Sequence, residues 1–360
     1  MLERIREAQL AMDEACKKMG RTVNIMEVCG THTVSIFRNG IKSTLNPQIR
    51  LISGPGCPVC VTDSSYIDTA LRLAGRRDVI IATYGDMMRV PGRDSSLEAA
   101  RAKYNNVSIV LSATDAVDLA QRNPDRTVVF LAVGFETTTP ATAVAVREAK
   151  ALGLKNLTVY SAHKLVVPAM EALVAGRNSN IDAFLCPGHV SVIIGSDAYE
   201  PVASKYGKPC VVAGFEPLQI IEGLAEICRM LAAGQAEVRS IYDAAVTRAG
   251  NATARTVIDQ CFKPVDGYWR GVGLIASSAL ALKEEYAQFD TLRRYQMTED
   301  RAVEHTPCRC GEVLCGLIDP PQCALFGTTC TPDTPVGPCM VSSEGSCAAW
   351  YKYSRQQRQR

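Results

Sequence analysis

From about residue 20 to about residue 235 the chain repeats one rhythm: a short apolar run, a loop carrying glycine, then a helical pattern. The apolar runs fall at 24–28, 50–53, 79–83, 108–112, 128–133, 157–161, 183–186 and 209–213, and helical periodicity follows several of them, as at 140–151 and 218–233. Strands that alternate with helices are connected as crossovers, so the pattern predicts an α/β fold built on parallel sheets. Ahead of it, Leu2, Ile5, Met12, Ala15, Cys16 and Met19 recur at helical spacing up to Gly20, which predicts an amphipathic N-terminal helix ending there.

A chain of 360 residues is about two domains long. The run Arg122-Asn123-Pro124-Asp125-Arg126 is the best candidate boundary. It predicts two parallel-sheet lobes, 1–125 and 126–235, with a cleft between them, or else one large sheet. The third portion, 236–360, reads as helical to about residue 296 and then as an irregular, cysteine-rich region. Prolines 307, 320, 321, 332, 335 and 338 interrupt that region and leave it little apolar periodicity. Such a segment lacks the material for its own core, and a metal centre would supply the missing stability. The last ten residues, 351–360, read as a frayed basic tail.

Lys plus Arg number 39 against 37 Asp plus Glu, a balance without the basic footprint of a nucleic-acid binder. Mean hydropathy is +0.02 and no apolar stretch approaches the ~18 residues of a membrane span. The N-terminus mixes acid and base and does not read as a signal peptide, so a cytoplasmic protein with no nucleic-acid or membrane partner is expected. Neither a Walker A loop nor a G-x-G-x-x-G fingerprint is present.

Fifteen cysteines are the departure from ordinary composition, and seven of them lie between Cys308 and Cys347. In a reducing compartment such clustering points to metal or redox chemistry, not to a disulfide framework. Two early loops carry sulfur just beyond predicted strands, the position where α/β sheets bind ligands. One reads Glu27-Val28-Cys29-Gly30-Thr31-His32-Thr33 and the other Ser53-Gly54-Pro55-Gly56-Cys57-Pro58-Val59-Cys60. Helix N-termini following these loops are expected to lower the cysteine pKa values. Cys29, Cys57 and Cys60, with His32, are therefore candidates to meet at one soft or borderline metal ion. Taken alone, Cys29 also reads as a buried strand-end thiol and His32 as a hydrogen-bonding histidine, while Cys57-x-x-Cys60 suits metal or redox use.

The terminal spacing C-x-C-x12-C-x6-C-x8-C-x7-C, through Cys308, Cys310, Cys323, Cys330, Cys339 and Cys347, has only one close pair and no histidine. It suits four-thiolate iron–sulfur ligation with two cysteines left over; zinc and free thiols are the alternatives. Four more polar loops, at 134–139, 161–164, 186–189 and 214–217, also follow predicted strands and are expected to line the same crevice.

These residues carry a resemblance. Cys29-Gly30-Thr31-His32-Thr33, the stretches 54–60, 83–92 and 134–138, Cys186-Pro187-Gly188-His189-Val190, and the stretches 308–314 and 337–347 closely resemble the HypD family of [NiFe]-hydrogenase maturation factors. The likeness runs from about residue 20 to residue 353. It implies a scaffold and metallochaperone that builds the Fe(CN)2CO group. Such a scaffold works with a HypC-type small chaperone and receives cyanide from a HypE-type donor. It also implies that Cys29, Cys57 and Cys60 handle the Fe(II) bearing cyanide and CO, with His32 in support. Through a further likeness to ferredoxin–thioredoxin reductase, it implies a [4Fe-4S] cluster on Cys308, Cys323, Cys330 and Cys347. Cys310 and Cys339 then remain as a redox dithiol that feeds electrons towards Cys57 and Cys60. The competing reading is a free-standing iron–sulfur thiol-disulfide oxidoreductase.

Overall fold

A computed structural model describes residues 1–176, 179–299 and 307–358, with side chains assigned up to residue 353. Among the described residues, all eight apolar runs form strands. They are β1 (Val23–Glu27), β2 (Ile49–Ser53), β3 (Val79–Thr83), β4 (Val107–Ile109), β5 (Thr127–Gly134), β6 (Leu157–His163), β7 (Ala183–Pro187) and β8 (Cys210–Ala213). A ninth, β9 (Val238–Ser240), was not expected.

The strands make two parallel sheets, ordered β2-β1-β7-β8-β9 and β4-β3-β5-β6. The sheets do not follow the boundary expected at 122–126, because strands from both sides of it occur in each. The chain leaves the first sheet after β2, completes the second with β3 to β6, and returns to pair β7 with β1. Register partners such as Ile25 and Ala183 lie far apart in sequence, which is why local patterning could not assign them.

Side-chain alternation along the strands builds the layers. Met26, Phe184 and Val212 from the first sheet share one apolar cluster with Ile81, Val129 and Leu131 from the second. Their neighbours Ile25, Leu185 and Val211 turn to a cluster with the N-terminal helix Leu2–Met19 and the helix Pro217–Ala233. The N-terminal helix ends as expected, with Gly20 at φ 64° and its N–H bonded to the Cys16 carbonyl.

The expected helical run to residue 296 is corrected in part. A helix occupies Ala252–Cys261, but β10 (Phe262–Trp269) and β11 (Gly273–Leu282) then form an antiparallel hairpin. This hairpin lies beside β6, with the Ser161 hydroxyl donating to the Leu280 carbonyl at 2.7 Å. The frayed tail expected over 351–360 is corrected as far as residue 358, its last two residues lying outside those described: a helix runs Ser346–Arg358 and packs on the helix Gly30–Arg38. That packing folds the cysteine-rich region back onto the first sheet. No helix among the described residues is long and apolar enough to cross a membrane.

Candidate metal and thiol site

The two early cysteine loops meet. Each cysteine stands at the N-cap of a helix, Cys29 before Gly30–Arg38 and Cys57 before Pro58–Val61. The Gly30 N–H donates to the Gly56 carbonyl at 3.1 Å, joining the two turns. Glycine is required at 56 by this approach: a Cβ there would lie 2.3 Å from the Cys29 nitrogen and 2.5 Å from its Cα. The Cα atoms of Cys29 and Cys57 consequently stand no more than about 8 Å apart.

Cys57 and Cys60 are joined as a disulfide, with Cα atoms 5.3 Å apart. In this state the pair offers no thiolates, so the expected three-thiolate site would require its reduction. The expected acidic shift at Cys29 is likewise corrected. Burial pushes its thiol up to about 12; the His32 amide draws it down, and the Glu344 carboxylate adds to the rise. Glu344 reaches the site from the C-terminal region, where it accepts the Thr31 hydroxyl at 2.8 Å.

His32 is wholly buried, and its Nε2 bonds the Gly214 carbonyl at 2.9 Å. A carbonyl only accepts, so Nε2 carries the proton and Nδ1 keeps its lone pair. Nδ1 has no hydrogen-bond partner among the described residues. Burial holds this imidazole near 4, below its ordinary value, so it is neutral at neutral pH. The Phe215 ring packs on both the His32 and His189 rings, with centroids 4.7 and 4.1 Å away. Behind Cys29, burial lifts the Glu27 carboxyl to about 8; its Oε1 accepts the Thr33 hydroxyl at 2.7 Å.

The terminal cysteines also gather. Cys308 is hydrogen-bonded to Cys310, and Cys310 to Cys339. A Cβ at Gly337 would stand 2.5 Å from the Cys308 sulfur. Burial raises the Cys347 thiol well above its ordinary value, and the nearby Cys308, Cys310, Cys330 and Cys323 add to that rise. Among the described residues no three His, Cys, Asp or Glu side chains are grouped closely enough to hold a single metal ion. The short helix Pro338–Val341, which carries Cys339, packs on Pro58–Val61, which carries Cys60.

The four further polar loops divide between the sheets. Those at 186–189 and 214–217 end strands of the first sheet, and those at 134–139 and 161–164 end strands of the second. Arg270, at the tip of the β10–β11 hairpin, escaped the sequence reading altogether. It is buried, and its charge acts on Cys308, Cys310 and Cys339. The only local signal was a glycine turn at residue 271.

Comparison with known proteins decides the family. The HypD family model, described as the hydrogenase formation hypA family, matches residues 3–354. The chain belongs to the HypD family. It is 47% identical over 344 residues to the hydrogenase maturation factor HypD of Azotobacter vinelandii, covering 93% of this chain and 90% of that protein. To the HypD of Escherichia coli K12 it is 44% identical over 338 residues, covering 94% and 91%. To that of Cupriavidus necator H16 it is 42% identical over 367 residues, covering 98% and 97%.

Proposed function

We propose that this hydrogenase maturation factor is the scaffold on which an iron centre bearing cyanide and CO is assembled. The observation that carries this reading is the contact of the Cys29 and Cys57 turns through Gly56. Once Cys57–Cys60 is reduced, three sulfurs from those turns receive Fe(II) as cargo, and thiolates suit low-spin iron with strong-field ligands. His32 supports the site as a neutral imidazole held by Gly214. The polar loops at the strand ends flank a cleft where a HypC-type chaperone and a HypE-type cyanide donor engage.

Cys308, Cys323, Cys330 and Cys347 would hold a [4Fe-4S] cluster. The crowding of these half-buried and buried sulfurs around Cys347 supports that fit, since neighbouring thiolates raise one another unless cations neutralise them. When bound, the cluster supplies electrons one at a time. The chain's own step is thiol–disulfide exchange. Cys310 and Cys339 lose two electrons and two protons as they join, and Cys57–Cys60 gains both as its bond opens.

The disulfide itself favours a second reading, a free-standing iron–sulfur thiol-disulfide oxidoreductase. Iron quantitation on anaerobically purified protein with its small partner separates the two. The scaffold predicts more than the four atoms of one cluster per chain, with the excess lost in Cys29→Ala. No excess in the native protein leaves the oxidoreductase.

A further inference from the structure

Backbone props the Cys29 turn from two sides. On one side the Gly30 N–H bonds the Gly56 carbonyl. On the other lies Glu344: a Cβ on Gly30 would come within 2.4 Å of the Glu344 Cβ and 2.6 Å of its carbonyl oxygen. Glu344 belongs to the turn 342–345, which joins the short helix of Cys339 to the helix Ser346–Arg358, where Cys347 stands. The far end of this turn is equally tight, since a Cβ on Gly345 would come within 2.1 Å of the Cys339 carbonyl oxygen. The turn is therefore wedged between the Cys29 and Cys339 backbones.

Ser342, which is buried, shapes that turn. Its N–H donates to the Pro338 carbonyl at 3.2 Å, and its carbonyl accepts the Gly345 N–H at 3.0 Å. Its hydroxyl oxygen accepts the Glu344 N–H at 3.3 Å, the local bond by which a serine side chain fixes the backbone two residues on. The same hydroxyl donates at 3.3 Å to Asp86, in the loop that follows β3 of the second sheet. One side chain thus sets the direction of the Glu344 backbone and ties it to the second sheet. Cys29 is a free thiol without the covalent tie that joins Cys57 to Cys60, so its sulfur takes its position from its neighbours. A metal site tolerates only about 0.5 Å of misplacement, and the groups behind the ligands supply that precision.

We propose that Ser342 is a positioning residue of the iron-cargo site: through the Glu344 backbone it sets Gly30, and so the Cys29 sulfur, in place relative to Cys57 and Cys60. The inference rests on the cargo reading and adds a C-terminal support to a site whose sulfurs all come from the two early loops. Ser342 acts through hydrogen bonds and backbone contact, not as a ligand.

The test is infrared spectroscopy with iron quantitation on the anaerobically isolated complex with its small partner, for the native chain, Ser342→Ala, Asp86→Ala and Asp86→Asn. The visible absorbance of the iron–sulfur centre reports whether the C-terminal region stays folded. Ser342→Ala removes both side-chain hydrogen bonds and should lower the iron held beyond the cluster about tenfold, the usual cost of losing a support behind a metal ligand. The cyanide and CO stretches that remain should shift, and the cluster absorbance should stay native. Asp86→Ala keeps the bond to Glu344 and should show a smaller effect of the same kind. Asp86→Asn, whose amide oxygen still accepts the hydroxyl, should match the native complex. Native stretches and native iron in Ser342→Ala overturn the proposal. If Ser342→Ala loses the cluster as well, the Asp86 pair decides. Cargo lowered in the alanine variant alone, with the cluster retained, supports the proposal; two Asp86 variants that behave alike, or loss of the cluster in Asp86→Ala, overturn it. A native complex without cyanide and CO stretches refutes the cargo reading itself and this inference with it, an outcome distinct from a loaded complex indifferent to Ser342.

Discussion

At the carboxyl edge of the first sheet a glutamic acid and a histidine, Glu27 and His32, are buried, each with one polar atom lacking a partner among the described residues. The second sheet ends the same way. Glu136 Oε1 accepts the Val166 N–H at 2.9 Å, and His163 bonds the Thr142 hydroxyl at 2.9 Å. Glu136 Oε2 and His163 Nδ1 have no partner among the described residues. In both sheets burial raises the acid, to about 8 and about 7, and lowers both imidazoles to about 4. A buried acid and a buried imidazole therefore occur at the edges of both sheets. What sets the first sheet apart is sulfur, together with a glycine that lets two backbone turns touch. The proposed chemistry is accordingly placed on the thiols, with the acid and imidazole as surroundings.

The sharpest way to break that distinction is to fill the glycines at the two edges. A Cβ at Gly56 meets the Cys29 backbone, whereas one at Gly134 comes 1.6 Å from the Thr138 hydroxyl oxygen. A backbone cannot turn aside, whereas the Thr138 hydroxyl can change rotamer and leaves only its Cβ, 2.8 Å from the added methyl, to give by a few tenths of an ångström. Gly56→Ala is expected to cost about 3 kcal/mol and Gly134→Ala about 1 kcal/mol, read from urea unfolding midpoints. Equal costs would mean that the two edges are equally tolerant and that the close approach of the cysteine turns is not a constraint.

A second prediction concerns pH at the sulfur-free edge. The unfolded chain loses the Glu136 proton near the ordinary 4.5, while the folded chain keeps it to about 7, so stability falls as pH rises through that window. Glu136→Gln removes this loss and should gain on the native protein by up to about 3 kcal/mol between pH 5 and pH 8. His163 acts in the opposite direction. The unfolded chain takes up its proton below 6.5 and the folded chain only near 4, so stability falls as pH drops between those values. Unfolding midpoints at pH 5, 6.5 and 8 check both signs. An unchanged pH profile in Glu136→Gln would place that carboxyl in contact with water.

Much of this fold is legible in the sequence because parallel strands buried on both faces read as continuous apolar runs. Val128 to Val133 is such a run, and β5 is buried along its whole length. The hairpin was hidden for opposite reasons in its two strands. β10 interrupts its alternation with Pro264, Asp266 and Gly267, while β11, rich in Ala and Leu, carries helical propensity that the pairing overrides. Cys29 and Cys57 could be found because each follows a strand and opens a helix. The oxidation state of Cys57 and Cys60 could not, since Cys-x-x-Cys serves metals and disulfides alike. Arg270 was illegible because its neighbours, Val61 and Gly311, are remote in sequence and only the tertiary fold delivers them.

The central claim is that the meeting of the Cys29 and Cys57 turns is where the iron cargo is held. An infrared spectrum of the anaerobically isolated complex with a HypC-type partner tests it directly. Cyanide and CO stretches should appear with the native chain and vanish in Cys29→Ala, while the visible absorbance of the iron–sulfur centre persists. Stretches of undiminished intensity in Cys29→Ala would place the cargo elsewhere on the protein.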